Sequence, residues 1–286
     1  MGIIAGVLSM FFWGSALFLA ALAARKIGNV LALFWMQVFG FLTGSIYFLI
    51  NVNSFSFKEV PGQIPILIAI AALQVIANLG FYKGAEKAQI SLVTPISAAW
   101  GLIVAILSVI FLGEILEINQ IFAIILIVAG IILLSINVQE LLKLKKVNLL
   151  VGVKEGVIAM LGWGVSLFLL VYPSKDLDWF LPAYTFRFFV LIILSAYILS
   201  SIKTFKPKSK KFPLALLLAI GVFDMAGFLS YSYGVSTEHA SIVAPIGSAF
   251  AVVTVLLAQI FLKEKMKLGQ IVGIIGVVLG LILISI

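Results

Sequence analysis

Residues 91–114 read SLVTPISAAWGLIVAILSVIFLGE, and residues 241–264 read SIVAPIGSAFAVVTVLLAQIFLKE. Both are apolar runs that open on Ser, place a Pro four residues later and close on Phe-Leu-x-Glu. They lie at a fixed offset of 150, and the register holds outward in both directions. Residues 1–136 align with 151–286 without a gap, and about 41 of the 136 pairs are identical, roughly 30%. That level marks an internal duplication. Matched pairs include Gly2/Gly152, Trp13/Trp163, Ser91/Ser241, Pro95/Pro245, Glu114/Glu264, Gln120/Gln270 and Gly130/Gly280.

The chain has 286 residues, of which 63% are hydrophobic and 10% charged, with a mean hydropathy of +1.26. A soluble domain carries about 25% charged residues, so water is not the main solvent of this chain. A helix crossing hydrocarbon needs about 20 largely apolar residues. Apolar runs at 2–23, 31–50, 64–83, 90–112, 118–136, 152–172, 180–201, 213–234, 240–262 and 268–286 predict ten such helices. Continuous runs rather than alternation exclude a membrane barrel, and helices satisfy every backbone polar group inside lipid.

The expected fold is therefore an all-α membrane protein of two five-helix repeats around a central cavity. Residues 1–136 form the first repeat, 137–150 a linker (NVQELLKLKKVNLL), and 151–286 the second. An odd number of spans per repeat makes the second copy enter from the opposite side, giving inverted topology.

The net charge of +8 comes from asymmetric loops. One side holds Arg25, Lys26, Lys83, Lys87, Lys143, Lys145, Lys146, Lys154, Lys203, Lys206, Lys208, Lys210, Lys211, Lys263, Lys265 and Lys267, and the other only Lys58 and Lys175. This bias places the basic loops in the cytoplasm and both termini outside, in the cell (inner) membrane. It accounts for the charge without nucleic acid as a partner. With no cysteine there is no disulfide, thiolate metal site or cysteine nucleophile.

The chain as a whole resembles the drug/metabolite transporter superfamily, in particular its ten-helix EamA-type members. The resemblance rests on a mid-span Trp-Gly in the first helix of each half (Trp13-Gly14, Trp163-Gly164) and on SLVTPISAAW and SIVAPIGSAF. It rests also on FLGE and FLKE, each followed six residues later by Gln120 or Gln270. It implies a central cavity between inverted halves and export of a small metabolite by alternating access. It also implies cytoplasmic termini, which the loop charges of this chain oppose.

Ionisable groups inside the bilayer are costly, and each is a functional candidate. Arg187 and Asp224 lie well inside the seventh and eighth spans, opposite Gln37 and Gln74 of the first repeat. The expectation is a neighbouring pair in each half, hydrogen-bonded as Gln37–Gln74 and ion-paired as Arg187–Asp224. The ion pair reads either as a structural staple or as a substrate anchor, with Asp224 the candidate for proton coupling.

Gln74, Asn78 and Tyr82 recur every four residues on one helix face, matched on the eighth span by Asp224 and Tyr231. Trp13 and Trp163 sit mid-span, away from the interfaces where Trp anchors, and read either as an aromatic wall for an organic substrate or as plain packing. Pro95 and Pro245 remove a helix hydrogen bond and mark either a helix start or a kink beside the cavity. In the second case Thr94, Ser97 and Trp100 line it, with Ser248 and Phe250 matching them; Ser166 is a further candidate. Glu114 and Glu264 read as local turn or cap groups. Gly40/Gly44 and Gly269/Gly273 fit small-residue packing, within the chain or in a homodimer.

Function narrows accordingly. No phosphate-binding GxxxxGK[ST] motif is present, so a secondary carrier is expected, driven by a gradient, by exchange or by protons. Its cargo would be a small polar organic compound, zwitterionic and amino-acid-like, with export as the direction. A sugar importer, or a channel or lipid-scrambling path, is the alternative. An enzyme would need a nucleophile–base pair, paired carboxylates or metal ligands, and the spans offer none. No cofactor or metal is expected; the partners are the small-molecule substrate and the lipid bilayer.

Overall fold

The computed structural model describes residues 1–87, 90–135, 146–206, 213–263 and 266–286. Glu264, much of the linker and several loop lysines (Lys143, Lys145, Lys208, Lys210, Lys211, Lys265) lie outside them.

The described elements are all helical. In chain order they are α1 (Gly2–Ile27), α2 (Asn29–Ile50), α3 (Val60–Lys87), α4 (Ile90–Ala98), α5 (Trp100–Leu112) and α6 (Ile118–Ser135). There follow α7 (Lys146–Leu169), α8 (Val171–Asp176), α9 (Leu181–Ser201), α10 (Leu214–Thr237), α11 (Ala240–Ser248), α12 (Phe250–Leu262) and α13 (Leu268–Ile284). Among the described residues, seven segments are long and apolar enough to cross a membrane, and Ile96–Leu112, Ile118–Leu134 and Leu268–Ile284 add three shorter apolar helices. These correspond to the ten predicted spans. The outer surface is a belt of exposed Ile, Leu and Phe, among them Ile46, Leu49, Phe111, Phe122 and Ile282, the exterior of a protein solvated by hydrocarbon.

The halves interlock. The first helix of each packs against the third span of the other, α1 on α10 and α7 on α3. The second span of each also meets the third of the other, α2 on α10 and α9 on α3, while α6 and α13 pack on each other. Every contact in this set has its counterpart at the repeat offset, so the copies are related by a pseudo-two-fold axis. Gly130 and Gly273 mark the closest approach of α6 to α13: a Cβ on Gly130 would lie 2.7 Å from Gly273 O. That small-residue contact is within the chain, as is that of Gly40, which meets Gly221 of α10.

The fourth and ninth spans are each broken in two, but not at the prolines. Backbone helix runs through Pro95 and Pro245, and the breaks fall four residues later, at Ala99 (φ −72°, ψ 7°) and Ala249 (φ −75°, ψ 9°). A serine hydroxyl takes a helix carbonyl just ahead of each break. Ser97 Oγ donates to Thr94 O at 3.1 Å and Ser248 Oγ to Pro245 O at 2.8 Å. Ala249 N then turns to Ile246 O, three residues back, tightening the turn. The expected kink exists, displaced from the residue that sequence pointed to. In the sixth span the helix ends early, at Leu169, and restarts as α8.

Candidate functional site

A cavity of about 120 Å³ lies between the halves. The first half supplies Trp13, Ala16, Leu17 and Ala20 from α1, Met36 and Gln37 from α2, and Gln74, Asn78, Phe81 and Tyr82 from α3. It adds Thr94 and Ser97 from α4 and Trp100 at the start of α5. The second half adds Trp163, Leu167, Asp224, Phe228 and Phe250. The predicted stripe Gln74–Asn78–Tyr82 faces the cavity throughout. The sequence reading missed Ala16, Leu17, Ala20, Met36, Phe81 and Leu167, whose apolar side chains carry no signal separating a cavity wall from core.

Four candidates are not in the wall. Arg187 is 0% exposed and sits behind the surface formed by Asp224 and Phe228. Tyr231, also fully buried, gives its hydroxyl to Leu167 O at 3.3 Å. Ser248 is spent on Pro245 O. Ser166 supports the wall from behind: its Oγ donates to Trp163 O and accepts from Gln74 Nε2, both at 3.0 Å. Hydroxyls one turn from their own helix carbonyls satisfy themselves locally, which periodicity does not reveal.

The polar centre is built around Arg187. Its Nη1 lies 2.7 Å from Asp224 Oδ2 and donates to Gln37 Oε1 at 2.8 Å. The guanidinium fits because residue 40 is glycine; a Cβ there would come within 2.5 Å of Nη1, and one on Gly221 within 2.6 Å of Gly40 N. Phe228 covers it from the cavity side, with Cζ 5.2 Å from the ring centroid, a cation–π contact in a desolvated setting. The expected Arg187–Asp224 ion pair is present. The expected Gln37–Gln74 pair is not: Gln37 bonds across the axis to Arg187, and Gln74 bonds to Ser166. Charge attracts the amide oxygen more strongly than a second amide does.

Aromatic rings line the cavity. Trp13 stands edge-on to Trp100 (5.8 Å between centroids) and to Phe228 (5.1 Å), and Trp163 packs on Phe81 at 5.4 Å. Trp13 reaches this depth because it lies over Gly227, where a Cβ would meet its Cδ1 at 2.5 Å.

Two carboxylates bridge the halves at opposite ends of the fourth span. Glu114, 7% exposed, accepts from Ala240 N and Ser241 N at 2.9 Å each and from Ser241 Oγ at 2.6 Å. It thus caps the N-terminus of α11 in the other half, where backbone N–H groups lack helical partners; the expected capping role is present, but it acts across the halves rather than in a local turn. At the basic end, Glu155 of α7, 5% exposed, is ion-paired with Lys83 of α3. The sequence reading passed over Glu155, although a carboxylate just inside a predicted span was the signal for it.

An interlocked bundle of apolar helices with a cavity between its halves is the architecture of a multi-span membrane transporter. The EamA-like transporter family model matches the chain twice, over residues 1–136 and 150–286; the chain belongs to the EamA-like transporter family. It is 36% identical over 95 residues to an uncharacterized protein of Methanocaldococcus jannaschii, covering 33% of this chain and 69% of that one. It is 21% identical over 246 residues to an "Uncharacterized transporter" of Archaeoglobus fulgidus, covering 85% and 84%. A protein of solved crystal structure superposes with a TM-score of 0.82 over 99% of this chain and 95% of that one, at 12% identity. That likeness is one of fold.

Proposed function

We propose that this transporter is a secondary carrier that moves a small polar organic metabolite bearing an amino group by alternating access, as an exporter. Residues 1–136 and 151–286 are the two moving halves, and 137–150 joins them. The basic loops face the cytoplasm and both termini the opposite side of the cell membrane. The observation that carries the reading is the cavity itself: polar side chains and one carboxylate, Asp224, enclosed by aromatic rings at the contact of two inverted halves. A site at mid-depth between inverted repeats can be exposed to each side in turn by rocking one against the other.

The bridges at both ends support a carrier over a channel. Glu114 ties the halves beyond one end of the cavity and Lys83–Glu155 beyond the other, whereas a channel needs a continuous open path. Asp224 is the coupling candidate, since a carboxylate at the cavity wall is able to exchange a proton for cargo.

The test is counterflow in proteoliposomes loaded with candidate metabolites. Saturable uptake of labelled cargo, accelerated by unlabelled cargo inside, is expected. Linear, non-saturating flux without acceleration would sink the carrier.

A further inference from the structure

We infer that the group this cavity recognises is a cationic amine, taken by Asp224, and that zwitterions and carboxylates are selected against. The inference rests on the carrier reading above and narrows its cargo.

Among the described residues that line the cavity, Asp224 is the only one with a charged side chain. Its Oδ2 is held by Arg187. No other hydrogen-bonding partner of Asp224 is present among the described residues, and the residue nonetheless lines the cavity wall. The carboxylate is therefore oriented from behind and left able to accept in front.

A carboxylate on the cargo finds no free cation at the wall: Trp13 Nε1 is an unpartnered donor but neutral, and the unpartnered Nε and Nη2 of Arg187 are buried. Arg187 is fully buried, with Nη1 on Asp224 and Gln37, its guanidinium against Gly40 and Phe228 over its face. The cavity amides are engaged too: Gln74 Nε2 donates to Ser166 Oγ, and Asn78 Nδ2 to Gln74 O at 2.7 Å. An incoming anion would meet the like charge of Asp224, whose own counter-ion Arg187 lies buried behind it. An ammonium meets a carboxylate in a wall that also holds Trp13, Trp163 and Phe228, the residue types that attract a desolvated cation. Arg187 is then a positioning residue: it fixes Asp224 and does not touch the cargo.

The cavity is close in size to one of about 150 Å³ that binds benzene, so probes of about six heavy atoms fit. The experiment compares 3-methylbutylamine, leucine, 3-methylbutanoate and 3-methylbutan-1-ol, read by quenching of tryptophan fluorescence and by thermal shift of the purified protein. The amine is expected to bind at least tenfold more tightly than the other three. Asp224→Asn should remove that preference while leaving the weak binding of the alcohol in place.

Asp224→Asn strands Arg187, so the double variant Asp224→Asn/Arg187→Gln is run beside it to keep the centre neutral. Equal or tighter binding of leucine or the carboxylate, or an amine preference that survives both variants, would overturn the inference. Counterflow separates this failure from that of the carrier. Accelerated exchange of leucine would leave the carrier standing without the amine rule. Selective amine binding without exchange would do the reverse.

Discussion

Gln37 and Arg187 occupy the same position in the two copies of the repeat and bond to each other, Oε1 accepting from Nη1 at 2.8 Å. Equivalent residues of two related halves meet only where the axis relating them passes. The transporter's charged centre is therefore on its pseudo-two-fold axis, with Asp224 to one side and its mate Gln74 turned away to Ser166.

Removing one member of the ion pair leaves an uncompensated buried charge, a loss of about 3–5 kcal/mol. Arg187→Gln and Asp224→Asn should each lower the thermal midpoint in detergent. The double variant should be more stable than the sum of the singles requires. Strict additivity of the three losses would show that the two side chains do not interact.

Gly40→Ala should unseat the guanidinium, because its new Cβ would come within 2.5 Å of Arg187 Nη1. Overpacking of this kind costs about 1–3 kcal/mol, and here it should also shift amine affinity through Asp224. Gly62, with open space around it, is the control: Gly62→Ala should leave both properties unchanged.

Glu114→Gln keeps an acceptor for the α11 N-terminus but loses its charge, and Glu114→Ala loses both. Losing a helix cap costs about 1 kcal/mol, so the Ala variant should be the less stable. Because the chain contains no cysteine, a single Leu17→Cys in the cavity wall reports access. Added to it, Glu114→Ala should raise modification by an impermeant thiol reagent applied at the end opposite Lys83. Modification unchanged from that end would remove Glu114 from the closure.

Glu155→Gln should act at the other end. Its partner Lys83 is half exposed (54%), so the pair is worth at most about 1 kcal/mol and stability should barely move. Labelling of Leu17→Cys from the basic end should rise, and high salt should mimic the substitution in the parent protein. A large loss of stability without a change in labelling would mark the pair as a fold element.

The ten spans, the duplication and the polar stripe of α3 were legible in the sequence, since each is a matter of composition or period. Asp224 and Arg187 announced themselves as charges in apolar runs. What stayed hidden was which partner each polar group takes. Period places Gln37 beside Gln74 in one half, but partner choice is decided across the axis, where a guanidinium outcompetes an amide. Ser97 and Ser248 look alike as candidates, yet one lines the cavity and the other is fully buried. Each takes a carbonyl just ahead of its break, and the breaks fall four residues beyond Pro95 and Pro245. Glu114 looked local because the helix it caps lies 126 residues further on.

The meeting of residues 37 and 187 constrains how such a chain can arise. In a symmetric pair of identical five-helix units, whatever side chain stands at this position faces itself. Two glutamines can do that, because an amide both donates and accepts. Two arginines cannot, because like charges would be pressed together out of reach of water. The guanidinium thus had to wait until the two copies were separately encoded, when a change in one no longer forced the same change on its twin.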